Sequence, residues 1–217
     1  MVKDCLLKIT YLKSVDSTQT CLKNLLKNSK IKLPHAIVTD EQTDGIGSRD
    51  NKWQGLEGNL FLSFALKLKD LPQDLKLESA SIYFSYILKE TLESLGSKVF
   101  LKWPNDFYID DKKIGGMITN IIDDNLICGV GINIKSAPQN FAILDTKISI
   151  DKIINLYLIN IEKKLPWKQI FSKYKINFYK KQKYYTHNNN LKISLENAEL
   201  QDDGSIIIDG ERIYSLR

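Results

Sequence analysis

The chain has 217 residues, of which 43% are hydrophobic and 26% are charged, and its formal net charge is +5. This composition is typical of a globular protein, and the length allows one main domain with a small appendage. No apolar run approaches the ~20 residues that a membrane span requires, and residues 1–8 lack the pattern of a signal peptide. The sequence therefore predicts a cytoplasmic protein without a membrane segment.

Cysteine and histidine usage argues against several kinds of site. Cys5, Cys21 and Cys128 are odd in number, far apart and not accompanied by a histidine cluster. They are interpreted as buried thiols, not as a disulfide framework or a metal site. His35 and His187 lie outside every motif described below, so a Ser-His-Asp or Cys-His mechanism has no support.

The first half of the chain predicts strands and helices around one long loop. Ser17 has the type and position of a helix N-cap, and Gly96 follows a strongly periodic apolar stripe as its C-terminal stop. The predicted elements are strands at residues 6–12, 36–39 and 59–68, helices at 18–27 and 79–95, and a loop at 40–58.

The second half predicts a run of short strands, two helices and a small C-terminal unit. A polar run at residues 186–190 marks a composition shift, which places a boundary between a main domain, 1–186, and a cap, 187–217. The predicted strands lie at residues 99–101, 107–109, 113–122, 126–134, 191–195, 205–208 and 212–216, and the helices at 150–164 and 167–180.

The most informative stretch reads Lys-Trp-Pro-Asn-Asp at residues 102–106 and Lys-Ile-Gly-Gly at 113–116. Pro104 restricts the residue before it and removes a backbone donor. The residues between predict two strands joined at an acidic turn, which holds Lys113 near the Trp-Pro-Asn corner. A lysine beside two glycines suits an anionic small molecule. For an isolated stretch, the alternative is a hairpin with a polar turn.

Three further motifs accompany this stretch in a fixed order. Residues 17–19 read Ser-Thr-Gln, residues 42–53 form a glycine-rich segment that ends in Trp53, and residues 129–134 read Gly-Val-Gly-Ile-Asn-Ile. The ordered set, over about residues 15–134, resembles the biotin protein ligases, also called biotin–acetyl-CoA-carboxylase ligases. Because only 16 residues precede Ser17, the expected form lacks an N-terminal DNA-binding domain.

The resemblance implies a fold and an activity. The expected fold is α+β, with a mixed and mostly antiparallel sheet backed by helices, as in class II synthetase-like ligases, and a small C-terminal β-barrel. The implied enzyme is ATP-dependent and AMP-forming: it joins biotin to ATP with Mg²⁺, holds biotinyl-5′-AMP and transfers biotin to a lysine of a biotin carboxyl carrier protein. No DNA or membrane partner is expected, and the chain is a monomer or a homodimer.

Two alternatives from other classes remain open. One is a lipoate or octanoate ligase or transferase of related fold. The other is a non-catalytic module that binds an adenylate or a nucleic acid, although no recognition motif accompanies the basic charge. Pyrophosphate release that depends on biotin separates all three.

Four residues are expected to act in catalysis. Lys113 matches the family lysine that contacts the biotin carboxylate and the α-phosphate, where a compact and mobile charge can follow charge as it moves. Asn105 and Asp106 position Lys113, bind phosphate or hold Mg²⁺, and the sequence does not separate these roles. Arg49 is expected to supply charge from the glycine-rich segment, with a surface loop charge as the alternative.

The polar end of biotin is assigned to the Ser-Thr-Gln motif and its neighbours. Hydroxyls and an amide at a helix start suit a donor–acceptor head group, although Ser17 also suits a plain helix cap. Gln19 replaces the asparagine that is more common in the family but keeps the amide. The residues assigned to biotin are Ser17, Thr18, Gln19, Gln42, Lys113, Gly115 and Gly116.

The nucleotide is assigned mainly to the glycine-rich segment, where the chain departs from its apparent family. The family pattern Gly-Arg-Gly-Arg-x-x-Arg-x-Trp has Ile46, Ser48 and Asn51 at its arginine positions here, and Arg49 is the one arginine left. Trp53 matches the tryptophan that stacks on adenine. The residues assigned to ATP or the adenylate are Gly45, Ile46, Gly47, Ser48, Arg49, Trp53, Asn105, Lys113, Gly131 and Asn133.

Overall fold

The computed structural model describes residues 7–47, 51–180, 183–188 and 191–215. Its central feature is an eight-stranded sheet in the order β1-β2-β4-β8-β7-β6-β5, with β3 paired to β2. β1 and β2 pair in parallel, and the other neighbours pair antiparallel. The predicted mixed, mostly antiparallel sheet is therefore confirmed. Its strands are β1 Lys8–Val15, β2 His35–Ile46, β3 Lys52–Gly55, β4 Leu60–Lys67, β5 Phe100–Lys102, β6 Asp106–Ile109, β7 Lys112–Ile122 and β8 Asn125–Ile132.

Helices cover both faces of this sheet, which explains why its central strands are apolar along nearly their whole length. On one face Leu22 of the first helix packs against Ile37 and Ile127. On the other face Phe64 contacts Phe84 of the second helix, with ring centroids 5.3 Å apart. The helices are α1 Thr18–Lys27, α2 Ala80–Ser94, α3 Ile150–Glu162 and α4 Trp167–Lys180.

The predicted helix ends agree with the structure. Ser17 is extended and caps α1, and its side chain accepts a hydrogen bond from Thr20 N at 3.5 Å. Gly96 follows α2 with φ of +95°, a conformation that glycine adopts without the penalty of a Cβ. The two acidic turns also form hairpins, with Asp110 at φ +49° and Asp123 at φ +48°.

The prediction of a loop at residues 40–58 was wrong over most of its length. β2 continues to Ile46, and β3 folds back on it with Gln42 opposite Gly55 and Gly45 opposite Trp53. Most side chains on this hairpin are polar and half-exposed or exposed, so the apolar alternation that marks a strand is missing. Backbone pairing, including a bulge between Gln42 and Gly45, forms the element instead.

The C-terminal residues form two small sheets. Within the described residues these sheets do not close into the single β-barrel that the sequence suggested. Leu195, Leu200 and Ile206 belong to the same buried core as the main body, so the sheets pack on it. The boundary between residues 186 and 187 stays a prediction. The strands are β9 Tyr185–Asn188 with β10 Leu191–Ser194, and β11 Glu199–Leu200 with β12 Ile206–Ile208 and β13 Glu211–Ile213.

Two further expectations concern thiols and membranes. Cys128 is buried and Cys21 is half-buried, and both are free thiols, while Cys5 lies outside the described residues. Burial raises the pKa of Cys128 well above its ordinary value, which keeps it an unreactive thiol. Across the part of the chain that the structure describes, no helix is long and apolar enough to cross a membrane.

Candidate active site

A cleft opens on the α1 face of the sheet and is lined by residues from all four sequence motifs. It lies between α1, the β2–β3 hairpin and the central strands β4, β7 and β8. Most of the predicted site residues meet in its lining. Those present are Ser17, Thr18, Gln19, Gln42, Ile46, Gly47, Trp53, Asp106, Lys113, Gly116 and Gly131.

Three glycines form the floor of the cleft in two rows across the sheet. Gly116 pairs with Gly131, and Ile118 pairs with Gly129. Gly129 and Gly131 lie two residues apart on one strand, which separates the rows by about 7 Å. Without side chains there, groups from other elements and a ligand approach the backbone closely.

Thr18, Gln42 and Ser63 form a hydrogen-bond network beside the Gly129 row. Gln42 Oε1 accepts from Thr18 N at 2.8 Å and from Thr18 Oγ1 at 3.0 Å. Because a backbone N–H only donates, the amide oxygen of Gln42 must face Thr18, and its nitrogen faces the other way, toward Gly45. The Thr18 hydroxyl hydrogen is used on Gln42, so Ser63 Oγ is the donor in the 2.8 Å contact with Thr18 Oγ1.

Gln19 is the most informative polar side chain in the cleft. It is 2% exposed, and among the residues that the structure describes neither its amide oxygen nor its amide nitrogen has a hydrogen-bond partner. A Cβ added to Gly129 would lie 3.5 Å from Gln19 Cδ, so the amide lies against the cleft floor. An unpaired buried amide costs about 1–3 kcal/mol, so the Gln19 amide offers donor and acceptor groups to a molecule that enters the cleft.

The Gly116–Gly131 row carries the charges. Lys113 Nζ lies 2.7 Å from Asp106 Oδ1, and Lys102 Nζ lies 3.4 Å from Asp106 Oδ2. One carboxylate between two lysines leaves a surplus positive charge. Burial, reinforced by Asp106 and opposed by Lys113, raises the pKa of neighbouring Tyr108 to about 12. This end of the cleft therefore suits an anionic group.

The side chain of Trp53, on the β2–β3 hairpin, lies over the Gly131 end of the charged row. A Cβ added to Gly131 would lie only 2.7 Å from Trp53 Cε2 and 2.8 Å from its Nε1, so the indole rests on bare backbone. Its Nε1 is buried and has no hydrogen-bond partner within the described part of the chain. An aromatic ring in this position offers a stacking surface for a base.

Four predicted site residues lie behind the cleft lining. Asn105 is buried, and its amide donates to Met117 O while Met117 N donates to Asn105 O at 3.1 Å. Asn133 Nδ2 donates to Ala142 O at 3.3 Å, and its Oδ1 has no partner. Gly115 and Gly45 pack on backbone, because a Cβ would lie 2.3 Å from Gly131 O and 2.5 Å from Trp53 O, respectively. Their direct ligand roles stay predictions, and Ser48 and Arg49 lie outside the described residues.

The sequence motifs did not identify every residue of the lining. A signal existed for Ser63, which is a polar residue in the middle of the otherwise apolar strand β4. Gly129 and Val130 belong to the Gly-Val-Gly-Ile-Asn-Ile motif, and Met117 and Ile118 follow Gly116 in the sequence, but none of the four was assigned to a ligand. The lining residues missing from the assignments are Ser63, Met117, Ile118, Gly129 and Val130.

The described part of the chain does not build a metal site by itself. It contains no group of three or more histidine, cysteine, aspartate or glutamate side chains that could hold a metal ion. Asp106 is the carboxylate of the cleft lining, and both of its oxygens already pair with lysines.

Comparison with known structures places the fold. A crystal structure of biotin acetyl coenzyme A carboxylase synthetase from Helicobacter pylori, with bound biotinylated ATP, superposes with a TM-score of 0.91 at 40% sequence identity, covering 95% of this chain and 99% of that one. Biotin protein ligase from Aquifex aeolicus, in complex with biotin and ATP, has the same fold, with a TM-score of 0.75 at 24% identity over 95% of this chain and 94% of that one.

Comparison of sequences gives the family. The bifunctional ligase/repressor BirA of Escherichia coli is 30% identical over 132 residues, which are 58% of this chain and 40% of that protein. The chain thus matches about two fifths of the length of this curated relative. The model of the biotin/lipoate A/B protein ligase family matches residues 11–135, which include every motif of the cleft. The chain therefore belongs to the biotin/lipoate A/B protein ligase family.

Proposed function

We propose that this chain activates biotin with ATP and transfers it to a lysine of a carrier protein. In the first step a biotin carboxylate oxygen forms a bond to the α-phosphorus of ATP, and the bond to pyrophosphate breaks. In the second step the carrier amine attacks the biotinyl carbonyl carbon, AMP leaves with the bonding electron pair, and the amine loses a proton. The protein supplies no covalent nucleophile in either step, so positioning and electrostatics do the work.

The unpaired amide of Gln19 is the observation that carries the proposal. Biotin has a cyclic urea at one end, with N–H donors beside a carbonyl acceptor, and a carboxylate at the other end. The cleft has a matching order: an unpaired donor and acceptor on Gln19 at the Gly129 row, and surplus positive charge at the Gly131 row. The Gln42 amide oxygen holds Thr18 in place beside Gln19 at this end of the cleft.

Lipoate and octanoate are the rival substrates, because the family includes ligases for lipoate as well as biotin. A dithiolane or alkyl tail offers no strong donor or acceptor, so it would leave Gln19 buried and unpaired. A site built to hydrogen-bond a polar group rejects an analogue that lacks the group by as much as 10⁴–10⁵-fold. The Helicobacter pylori relative, at 40% identity, binds biotinylated ATP, which also favours biotin.

The binding positions of the nucleotide and of its Mg²⁺ are assigned to the same cleft. We assign the adenine to Trp53 and the α-phosphate to Lys113, with Mg²⁺ entering on the phosphates of ATP as part of the substrate. Gly47 lines the cleft, and its N–H donates to Asn51 O at 2.7 Å. Ser48 and Arg49 lie between these two residues in the sequence. That Arg49 contributes charge to the adenylate stays a prediction, as does the carrier protein.

ATP–pyrophosphate exchange tests the proposal directly. Biotin, lipoate and octanoate are assayed in parallel with the purified chain, and we expect exchange that depends on biotin alone. A second assay follows labelled biotin into a carrier domain whose acceptor lysine is intact or replaced by arginine. Exchange driven by lipoate or octanoate in preference to biotin would assign the chain to the other branch of its family, and no exchange with any acid would contradict catalysis.

A further inference from the structure

The turn between β11 and β12 is held by side chains from three separate parts of the main body. Three consecutive carbonyl oxygens of this turn each accept a hydrogen bond. The bonds are Trp167 Nε1 to Asp202 O at 2.8 Å, Ser79 Oγ to Asp203 O at 2.6 Å and Trp103 Nε1 to Gly204 O at 2.8 Å. The donors come from the start of α4, the start of α2 and the Lys-Trp-Pro-Asn-Asp corner, in that order.

The turn itself is rigid. The buried Asp203 carboxylate accepts from Ser205 N at 3.0 Å and Ser205 Oγ at 2.6 Å, and Arg212 Nη2 lies 2.7 Å from its second oxygen. Gly204 has φ of +79°, and a Cβ at this position would lie 2.6 Å from Ile82 Cδ1. The position of Gly204 O is therefore fixed both by the turn and by the helix beneath it.

Trp103 connects this rigid turn to the charged row of the cleft. Its side chain is 1% exposed, and it stands between Lys102 and Asn105 in the corner that joins β5 to β6. Three residues further along the chain, Asp106 carries the ion pairs to Lys113 and Lys102. Asn105 fixes one side of the corner to β7, and the indole of Trp103 fixes the other side to the C-terminal sheet.

We propose that Trp103 is a positioning residue through which the C-terminal three-stranded sheet sets the placement of Asp106 and, through it, of Lys113. The inference rests on the proposed function, because it assumes that Lys113 contacts the reacting groups. A mutation far from the reacting atoms that misplaces a reacting group by about 1 Å can lower the rate by about 10²-fold. The C-terminal three-stranded sheet then influences the reaction rate, although none of its residues lines the cleft.

A pair of matched variants tests this. Trp103→Phe and Trp167→Phe each remove one indole N–H that donates to the same turn, at the same distance of 2.8 Å. Of the two, only Trp103 belongs to the Lys-Trp-Pro-Asn-Asp corner that carries Asp106. We expect Trp103→Phe to lower kcat for biotin-dependent pyrophosphate exchange about 10–100-fold with KM for biotin nearly unchanged. Trp167→Phe should keep kcat close to that of the wild type, while the two thermal midpoints fall together.

A second readout needs no activity. Hydrogen–deuterium exchange over residues 102–113 should be faster in Trp103→Phe than in Trp167→Phe. Equal kcat losses in the two variants, an unchanged kcat in Trp103→Phe, or equal exchange rates would overturn the proposal. A wild-type chain without biotin-dependent exchange contradicts the proposed function instead, and hydrogen exchange then decides the positioning role. If Trp103→Phe does not fold, Gly204→Ala displaces the acceptor and should give the same loss of kcat.

Discussion

Lys113 Nζ lies 2.7 Å from Asp106 Oδ1, and both groups lie over the bare backbone of Gly116, where a Cβ would come within 3.4 Å of each. The Lys113 and Asp106 side chains are 26% and 20% exposed. The ion pair therefore holds the Lys113 amine at the cleft and leaves it accessible to a ligand. An anionic ligand group beside the Lys113 amine would interact with it at the same time as Asp106 does. Asp106 keeps Lys102 as a second partner.

Replacement of Lys113 should separate chemistry from binding. We expect Lys113→Met to lower the rate of adenylate formation by roughly 10²–10³-fold, the loss typical of one electrostatic contact to a transition state. Biotin binding should fall much less, because the urea end of the cleft is untouched. Exposed Lys112 is the matched control, and Lys112→Met should behave as the wild type. A Lys113→Met rate within about threefold of the wild-type rate would remove this residue from the mechanism.

Two glycines on β8 should report on different ends of the ligand. Gly131→Ala places a methyl group 2.7 Å from the Trp53 indole, so the ring must move. We expect ATP binding to weaken by about 1–3 kcal/mol, the range for base stacking, with biotin affinity nearly unchanged. Gly129→Ala contacts Ser63 and Gln19 at 3.2 Å and 3.5 Å instead, and should mainly weaken biotin binding.

Calorimetric titrations of both variants with biotin and with a non-hydrolysable ATP analogue make this comparison. The two glycines lie on the same strand and the same face, so each variant is the control for the other. If both variants lose both ligands equally, the strand tolerates no side chain and Trp53 has no separate role in nucleotide binding.

The parts of the site that are local in sequence could be predicted from it. Lys113 and Gly116 belong to one hairpin whose acidic turn and flanking glycines are visible in the sequence, and both line the cleft. Ser63 could not be assigned, because its role depends on a contact with Thr18, 45 residues away. The pairing of Gly45 with Trp53 was missed for a related reason: a polar hairpin carries no apolar alternation, and its backbone pairing has no sequence period.

Long-range contacts also explain the error at the C-terminus. The short strands there were expected to form one small barrel, but the described residues form two separate sheets. The turn at Gly204 docks on Trp103, about a hundred residues earlier in the chain, and Ile206 joins the main core. A strand pattern predicts the strands but not which surface buries their apolar faces.

His35 should make the folded state sensitive to mild acid. The side chain is 3% exposed, its Nε2 lies 2.9 Å from Thr10 Oγ1, and its Nδ1 is buried without a partner. Burial, and to a smaller extent the charge of Lys8, lowers its pKa from the ordinary 6.5. The unfolded chain therefore takes up a proton below pH 6.5 that the folded chain resists, so stability is full above that pH and declines as pH falls toward the folded-state pKa.

Urea titrations between pH 7.5 and pH 5, roughly the range in which a histidine changes charge, test this. We expect the free energy of unfolding of the wild type to fall by up to about 1.4 kcal/mol per pH unit below the unfolded-state pKa. His35→Gln, which has no titrating group, should show a flatter profile. Parallel profiles for the two proteins would show that other groups set the acid sensitivity.

Gln19 should show opposite effects on stability and on ligand binding. Its amide is buried and has no hydrogen-bond partner among the described residues, so its polar atoms add nothing to stability and are available to a ligand. We expect Gln19→Leu to leave the free energy of unfolding unchanged or to raise it by up to about 1–3 kcal/mol. The same change should weaken biotin binding by about 1–3 kcal/mol, which is roughly 5-fold to 150-fold in Kd. Gln19→Asn keeps the amide on a shorter side chain and should recover part of the affinity.

Thermal melts and calorimetric titration measure the two quantities on the same samples. A Gln19→Leu variant that melts lower and binds biotin as the wild type does would mean that the amide supports the fold, and the cleft would then lose its evidence for a urea.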